Sequence, residues 1–436
     1  MKQRRLVVVG AGPIGLETAL RAAGDGFDVT VLESGRVGEA IRKWGHVRFF
    51  TPFEMNSTAA GRKAVAERRR SLISEAPTDS AIETHESKTT ESMSPPLPDA
   101  DAIVTGSEFC DAYLQPLAQT PELVGRVREN HEVVAVSRGS YGKSDHIGRP
   151  QRASEPFRIL VVTPDDETII EADVLIDCTG FTSKHRPIGS GGIPCPGESR
   201  LLSDDDYRIP DITGTRRQLF ARQHTLVVGS GYSAATSVCL LAQLAQQEPG
   251  TAITWITRGN RETPVCPIPN DTLPERASLT ERANELAKEN KILTWLSGPL
   301  VESIHKLPSG FDVRLNWSTI DRLGDEQSRV DRLGVNRIIA NAGFRPNTKP
   351  FDELQVHRCY ATDGPIRFAA HLLGESSSDC LQQTSGGVEL LKNPEPDFYI
   401  LGASSYGRDS RFLLQFGLQQ IGELFDSLKA GDPATS

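Results

Sequence analysis

The stretch LVVVGAGPIG, from Leu6 to Gly15, decides the fold. Leu6 to Val9 is a short, valine-rich apolar run, the pattern of a parallel strand buried on both faces. Gly10, Gly12 and Gly15 follow in GxGxxG spacing. That spacing serves a tight turn, close approach of a pyrophosphate to the backbone, and close packing of a helix on the strand. Pro13 and Ile14 open the helix, and proline suits a first turn where its missing N–H costs nothing. The helix start offers phosphates free N–H groups and the positive end of a dipole. FDVTVLES, Phe27 to Ser34, then reads as a second strand closing on Glu33 and Ser34, with Glu33 lying 21 residues beyond Gly12. A carboxylate at that distance accepts hydrogen bonds from a ribose and repels a 2′-phosphate. FAD or NAD fits such a site and NADP fits it poorly. KQRR before the apolar run has the look of an export signal, but the glycines and Glu17 argue against one.

The same signature returns half a chain later in TLVVGSGYSA, Thr225 to Ala234. Gly229, Gly231 and Ser233 lie in the turn, and Ala234 takes the third glycine's place, where packing asks only for a small residue. The next strand, AITWITRG, ends on Thr257 and Arg258 with no acid, and Arg261 follows. A guanidinium grips a 2′-phosphate with two parallel hydrogen bonds, so this site is expected to prefer NADPH. Two such starts predict two dinucleotides, and hydride transfer from nicotinamide to flavin is the simplest chemistry joining them.

Beyond these motifs the chain resembles the flavoproteins with two dinucleotide-binding domains, which include thioredoxin and glutathione reductases and the flavin-containing and N-hydroxylating monooxygenases. Four further segments carry the resemblance. ADVLIDCTGF (Ala172–Phe181) is similar to the family's exit from the FAD domain, with Thr179 and Gly180 at its tip. NRIIANAGFRPN (Asn336–Asn347) is similar to the return from the NADPH domain. HEVVAVSR resembles the strand whose backbone reads adenine near Val133. Pro396–Ile421 resembles the flavin-closing segment, where relatives carry a Gly-Asp pair against the ribityl chain and this chain has Gly402-Ala403. The resemblance leaves Asp409 as a substitute acid or a surface residue, and implies a helix from about Arg411 aimed at the flavin's pyrimidine edge. It also places Trp44 and Arg48 beside the flavin and offers Asn56 as a donor there, with ordinary core as the equal alternative.

The implied architecture is α/β, with two Rossmann-like domains and the NAD(P) domain inserted into a discontinuous FAD domain. The expected spans are 1–190 and 336–428 for the FAD domain and 217–331 for the NAD(P) domain. Residues 71–100 hold no aromatic residue and many Ser, Thr, Pro and acidic residues, the composition of a disordered insertion. Residues 139–156 read as a polar loop, and helices are expected at SEFCDAYLQPLAQ and from about Pro274.

There is no CxxC pair among the seven cysteines, so dithiol chemistry finds no support. Cys178 and Cys239 read as core, and Cys195 and Cys266 as loop thiols. The stretch before the second motif lacks the FxGxxxH fingerprint usual in the monooxygenases. A net charge of −9 argues against nucleic acid. No run approaches the roughly 20 apolar residues of a membrane helix, and the histidines show no metal spacing. A cytoplasmic protein with reduced thiols and a small-molecule substrate is expected. The leading expectation is an FAD enzyme reduced by NADPH that passes electrons to oxygen or a small molecule in monooxygenase-like fashion. The alternatives are a reductase or dehydrogenase for a quinone or protein acceptor, and a non-enzymatic flavin redox sensor.

Overall fold

The computed structural model describes residues 3–75, 94–180, 184–259, 261–289, 291–320, 326–374 and 386–430. Two compact units emerge, one joining Met1–Ser183 to Pro346–Ser436 and the other spanning Lys184–Arg345. The second unit takes in residues 184–190 and 336–345, which the expected spans gave to the FAD domain, and residues 191–216 and 332–335, which they left between domains. Strand β8 (Lys184–His185) pairs antiparallel with β16 (Phe344–Arg345). Buried Glu198 accepts from Ile188 N, Cys195 N and Tyr207 Oη, tying the following turns to this unit.

In the first unit, strands β1 (Arg5–Val9), β2 (Asp28–Leu32), β3 (Val127–Arg128), β7 (Val174–Asp177) and β17 (Phe398–Ile400) form a parallel sheet in the order β17-β7-β1-β2-β3. Its register sets Val9 opposite both Leu32 and Asp177, and Ile400 opposite Asp177. Gly10, Glu33, Cys178 and Leu401 therefore leave the sheet along one edge, the carboxyl ends where open α/β sheets bind ligands. The helices Pro13–Gly24 and Leu414–Ala430 cover one face through Leu16, Leu20, Ile421 and Phe425. An antiparallel sheet of β4 (Glu132–Arg138), β5 (Phe157–Val162) and β6 (Glu167–Ala172) covers the other, packing Val136, Phe157 and Ile159 on Val7, Leu175 and Phe398. Removing a ring such as fully buried Phe157 costs about 3–5 kcal/mol.

Three local expectations need correction. Residues 71–75 finish a helix, Ala59–Glu75, rather than opening a disordered stretch. Residues 94–102 are also ordered against the fold: Ser94 O accepts from Arg69 Nη1, and Ala100 O and Ala102 O accept from Glu54 N and Phe53 N. The rest of the expected insertion, 76–93, lies outside the described residues. Residues 139–156 are not simply a polar loop. Arg152, in a turn at Pro150–Ser154, is fully buried and donates to Glu395 with Arg138 beside it. Glu395 also accepts from Gln355 N, and Arg138 stacks on Phe157 at 3.8 Å. One carboxylate and several carbonyls take most of the donors of these two buried guanidinium groups, and Arg152 Nη2 is left without a hydrogen-bond partner. The third correction is that the last helix begins at Leu414, since Arg411 turns back to cap Asp409 with its N–H and guanidinium.

The expected helix around SEFCDAYLQPLAQ runs from Gly106 to Ala118, with a π-turn over Cys110–Leu114 and a reciprocal cap between Thr105 and Glu108.

In the second unit, β9 (His224–Val228), β10 (Ala252–Arg258), β11 (Leu293–Gly298) and β15 (Arg337–Ala340) form a parallel sheet in the order β11-β10-β9-β15. Helices Tyr232–Gln247 and Pro274–Glu289 pack on it through Val238, Leu241 and Ala283. Strands β12 (Leu300–Leu307), β13 (Gly310–Ile320) and β14 (Glu326–Val335) make an antiparallel sheet against the other face, with Val301, Ile304 and Val313 on Leu226 and Ile256. Among the described residues, no helix is long and apolar enough to cross a membrane and no group of side chains could hold a metal ion.

Candidate functional site

Each parallel sheet carries one glycine turn at its carboxyl edge. In the first unit Gly10 has φ +104°, and a Cβ there would stand 2.7 Å from Cys178 O. Only glycine meets both demands. A Cβ on Gly15 would strike Gly10 O, so helix and strand touch through bare backbone. Gly12 differs: its φ is −79° and nothing lies within 4 Å of where its Cβ would be. Gly12 caps the helix without any side-chain bond, and Pro13 fills the first turn. Open space and an uncapped helix start together suit a phosphate. Ile14 packs beneath the turn, where Cβ atoms on Gly402 and Gly417 would lie 3.0 and 2.5 Å from it. The C-terminal helix is thereby drawn against the first motif.

Glu33 sits at the end of β2 with its carboxylate held from both sides. Oε2 accepts from Ala11 N at 2.8 Å, and Oε1 accepts from Gly35 N at 2.9 Å and from Ser34 Oγ at 3.3 Å. Two N–H donors fix its orientation and leave lone pairs for hydroxyl donors such as those of a ribose. Val133 is buried at the start of β4, beside a bulge, with its strand at the edge of its sheet. Its side chain belongs to the core, and its outer backbone edge meets no further strand among the described residues. Thr179 and Gly180 follow β7, where Thr179 donates through both N and Oγ1 to Asp177 Oδ1 at 2.9 and 2.7 Å. Gly402 has φ +68°, and its N–H donates to fully buried Gln420 at 2.8 Å.

Of the residues offered beside the flavin, Trp44 packs edge-on against Phe49 at 5.2 Å, in a chain of rings that continues to Phe109 and Tyr113. Arg48 donates to Ile103 O. Asn56 must be withdrawn as a donor. It is 1% exposed, gives both N–H groups to Thr51 O and Pro52 O, and takes the Thr51 hydroxyl on its oxygen. Its polar capacity is consumed in holding the turn that precedes helix Ala59–Glu75. Asp409, bound by Arg411, is likewise committed.

The second unit repeats the geometry. Gly229 has φ +140° and its Cβ would strike Asn341 O, whereas nothing lies within 4 Å of a Cβ on Gly231. The helix from Tyr232 starts at Gly231 without a side-chain cap. Ser233 is exposed in its first turn and Ala234 is fully buried behind it. Arg258 ends β10 with its side chain exposed, and Arg261 donates to Arg258 O while its N–H binds Ser297 Oγ.

Several residues that the motif reading passed over hold this scaffold. Trp255 is buried in β10 and donates its indole N–H to Gly229 O at 2.7 Å. Asn341 accepts from Ser237 Oγ at 2.7 Å and donates to Arg208 O at 3.1 Å, joining helix, turn and linker. Asp177, Ser404 and Gln420 do comparable work in the first unit. A polar residue inside an apolar strand pattern, as in LID at Leu175–Asp177, was the available signal.

Most of the described cysteines are buried, and of these Cys359, hydrogen-bonded with Thr362, has its thiol lowered below the ordinary value. Burial pushes the thiols of Cys110 and Cys195 up to about 12 and that of Cys239 up to about 11. Cys178 is also raised by burial. Cys178 and Cys239 are core, as expected, and Cys195 lies in a loop, as expected, but is buried there. Cys266 is exposed.

Residues 7–94 match the pyridine nucleotide-disulphide oxidoreductase family. No curated protein sequence matches the chain. Among solved structures, a bacillithiol disulfide reductase from Bacillus cereus superposes with a TM-score of 0.62 at 14% identity, over 99% of this chain and 100% of that one. The cadaverine monooxygenase of desferrioxamine biosynthesis from Erwinia amylovora, solved with FAD, gives 0.60 at 14% identity over 99% and 95%. An ornithine N-hydroxylase from Kutzneria, solved with reduced FAD, NADP+ and L-ornithine, gives 0.56 at 17% identity over 98% and 99%. Over nearly its whole length the chain therefore shares the fold of these FAD- and NADP-binding reductases and monooxygenases, and the family match covers residues 7–94.

Proposed function

We propose that the chain is an FAD-dependent NAD(P)H oxidoreductase in which hydride passes from NADPH to FAD and electrons pass onward to oxygen or a small molecule. The observation that carries this reading is the pair of open, uncapped glycine turns with opposite charges at the next strand end. Gly12 and Gly231 both leave room for a pyrophosphate, while Glu33 follows the first and Arg258 the second. In this assignment Met1–Ser183 with Pro346–Ser436 is the FAD domain and Lys184–Arg345 the NADPH domain. Gly12, Ile14, Gly15, Glu33, Ser34, Val133, Thr179, Gly180 and Gly402 would hold FAD, and Gly229, Gly231, Ser233, Ala234 and Arg258 would hold NADPH. FAD, when bound, supplies a two-electron acceptor. The protein's own part is to orient phosphates on two helix starts, select the nucleotide by charge, and exclude water with the Leu414–Ala430 helix.

A monooxygenase-like outcome is favoured by the lack of a CxxC pair. A second reading gains from the commitment of Asn56 to its own turn, which removes a polar candidate for handling oxygen. In that reading electrons go to a quinone or protein acceptor.

The first experiment is an absorbance scan of the purified protein. Flavin bands bleached anaerobically by NADPH support the proposal, and a colourless protein that takes up no added FAD refutes it. Reoxidation of the bleached protein by air and by a soluble quinone then separates the readings. Markedly faster recovery with the quinone favours the reductase.

A further inference from the structure

The short ribbon of β8 and β16 in the second unit has two faces of different chemistry. Its register sets His185 opposite Phe344 and Lys184 opposite Arg345. Opposite residues of an antiparallel pair share a face, and so do residues two apart in one strand. His185 and Phe344 therefore lie on one face, among rings. His185 stacks on buried Tyr207 at 3.6 Å, and the Arg208 guanidinium lies over Phe344 at 6.0 Å. Asp204 stands 3.6 Å from His185 there. The other face holds Lys184, Arg186 and Arg345. Arg186 N donates to Gly343 O at 2.8 Å, and Arg186 Cδ lies 3.7 Å from where a Cβ on Gly343 would stand. The bare glycine thus lets the Arg186 side chain lie across the ribbon, and three cations share one face.

Like charges set directly opposite each other in a ladder are destabilising. Among the described residues, no carboxylate offsets the pair here: neither the Lys184 nor the Arg345 side chain has an ion-pair or hydrogen-bond partner. Arg345 Nε is closed off from solvent with no acceptor, a state that native folds keep only where the group has a task. The sequence adds no acid at either end, since Phe181–Ser183 and Pro346–Asn347 are neutral. The positive field reaches the far face, where His185 is held below its usual range by burial first and then by Arg345 and Arg208. We infer that the face of Lys184, Arg186 and Arg345 is a binding site for a small dianion, a phosphate monoester or a dicarboxylate. A half-buried guanidinium offers paired N–H groups to either, and the exposed ammonium opposite supplies the second positive charge. Each strand is two residues long, about 7 Å, which suits a compact anion and not a polyanionic chain. The NADPH phosphates are assigned to Gly231 and Arg258, after β9 and β10, whereas the ribbon follows β15 on the other side of β9. The site is thus additional to both dinucleotides and goes beyond the proposed activity.

The test is the melting temperature of the purified full chain in sodium chloride buffer, titrated with inorganic phosphate or with succinate at matched ionic strength. At ten times its Kd a dianion should raise the melting temperature by roughly 3–6 °C. Lys184→Gln and Arg345→Gln should each weaken it at least tenfold, leaving about 1–2 °C at the same concentration. Lys63→Gln, an exposed lysine of the other unit, should keep the full shift. In chloride alone Lys184→Gln should melt no lower than the parent, because an exposed cation facing another has been removed. Saturating NADP+ should leave the parent's dianion shift in place. The inference is overturned if neither dianion shifts the parent, or if parent and both ribbon variants shift equally, the sign of a general salt effect. Clearly earlier melting of Lys184→Gln in chloride also overturns it, as does loss of the shift in NADP+, which would make the ribbon part of the coenzyme site. Failure of the unaltered chain to bind FAD would defeat the functional proposal and leave these melts readable.

Discussion

Gly10 and Gly12 stand two residues apart, yet their replacement by alanine should damage different things. At Gly10 a Cβ would lie 2.7 Å from Cys178 O, about 0.7 Å inside the ordinary 3.4 Å contact. Neither partner can retreat, because Cys178 N is bonded to Val9 O at 2.9 Å across β1 and β7. Overpacking of this kind costs about 1–3 kcal/mol, and the φ of +104° adds about 1–3 kcal/mol for an L side chain. Gly10→Ala should therefore lower the melting temperature of the stripped protein by roughly 5–20 °C, at about 2–4 °C per kcal/mol for a unit of this size. At Gly12 the φ of −79° suits any residue and nothing lies within 4 Å. Only the helix-cap preference is lost, about 0.5–1 kcal/mol. The methyl would instead fill the space a pyrophosphate needs. Losing one charge-assisted N–H bond there costs about 1.5–3 kcal/mol, or roughly 10- to 150-fold in FAD affinity. Thermal melts of the stripped protein and FAD titrations of the same samples give both numbers. If Gly12→Ala binds FAD as tightly as the parent, or melts as early as Gly10→Ala, the reasoning about this turn is wrong.

Three more outcomes follow from the same geometry. Arg258→Ala should raise the KM for NADPH by roughly tenfold and leave that for NADH within about twofold, an effect that shrinks at high salt because the side chain is exposed; equal effects on both coenzymes would remove the charge argument. Of the described cysteines Cys266 alone is exposed, so Cys266→Ser should remove one fast-reacting thiol toward a disulfide reagent at neutral pH. Cys110 and Cys195, pushed up to about 12 by burial, should react only on unfolding, and an unchanged fast phase in Cys266→Ser would contradict this. Asp271, held by hydrogen bonds from the Arg276 guanidinium, has its carboxyl below the usual range. A depressed acid contributes stability above its unfolded pKa and loses it as pH falls through the folded value. Asp271→Asn should thus lower the melting temperature at neutral pH and narrow the gap to the parent progressively below about pH 4; a gap that widens on acidification would reverse the sign.

Local sequence pattern was enough wherever backbone chemistry demands a residue type. Gly10 is dictated by its positive φ and Gly15 by helix–strand contact, so both glycine turns, the strands before them and the place of Glu33 at a strand end were legible from spacing alone. The helix from Pro274 and the core placement of Cys178 and Cys239 followed from periodicity for the same reason. What tertiary structure decided was where polar groups find partners. Asn56 resembles a free donor in sequence but is consumed by Thr51 and Pro52. Arg152 resembles a loop residue but meets Glu395 243 positions away. Asp177 reads as an interruption in an apolar strand, and only its register beside Ile400 and its bond to Thr179 give it a task. Local rules act through the few residues that share a turn, and a sequence displays those directly. Satisfaction of buried charge depends on which distant segments the sheet order brings together, and that is known only once the chain has folded.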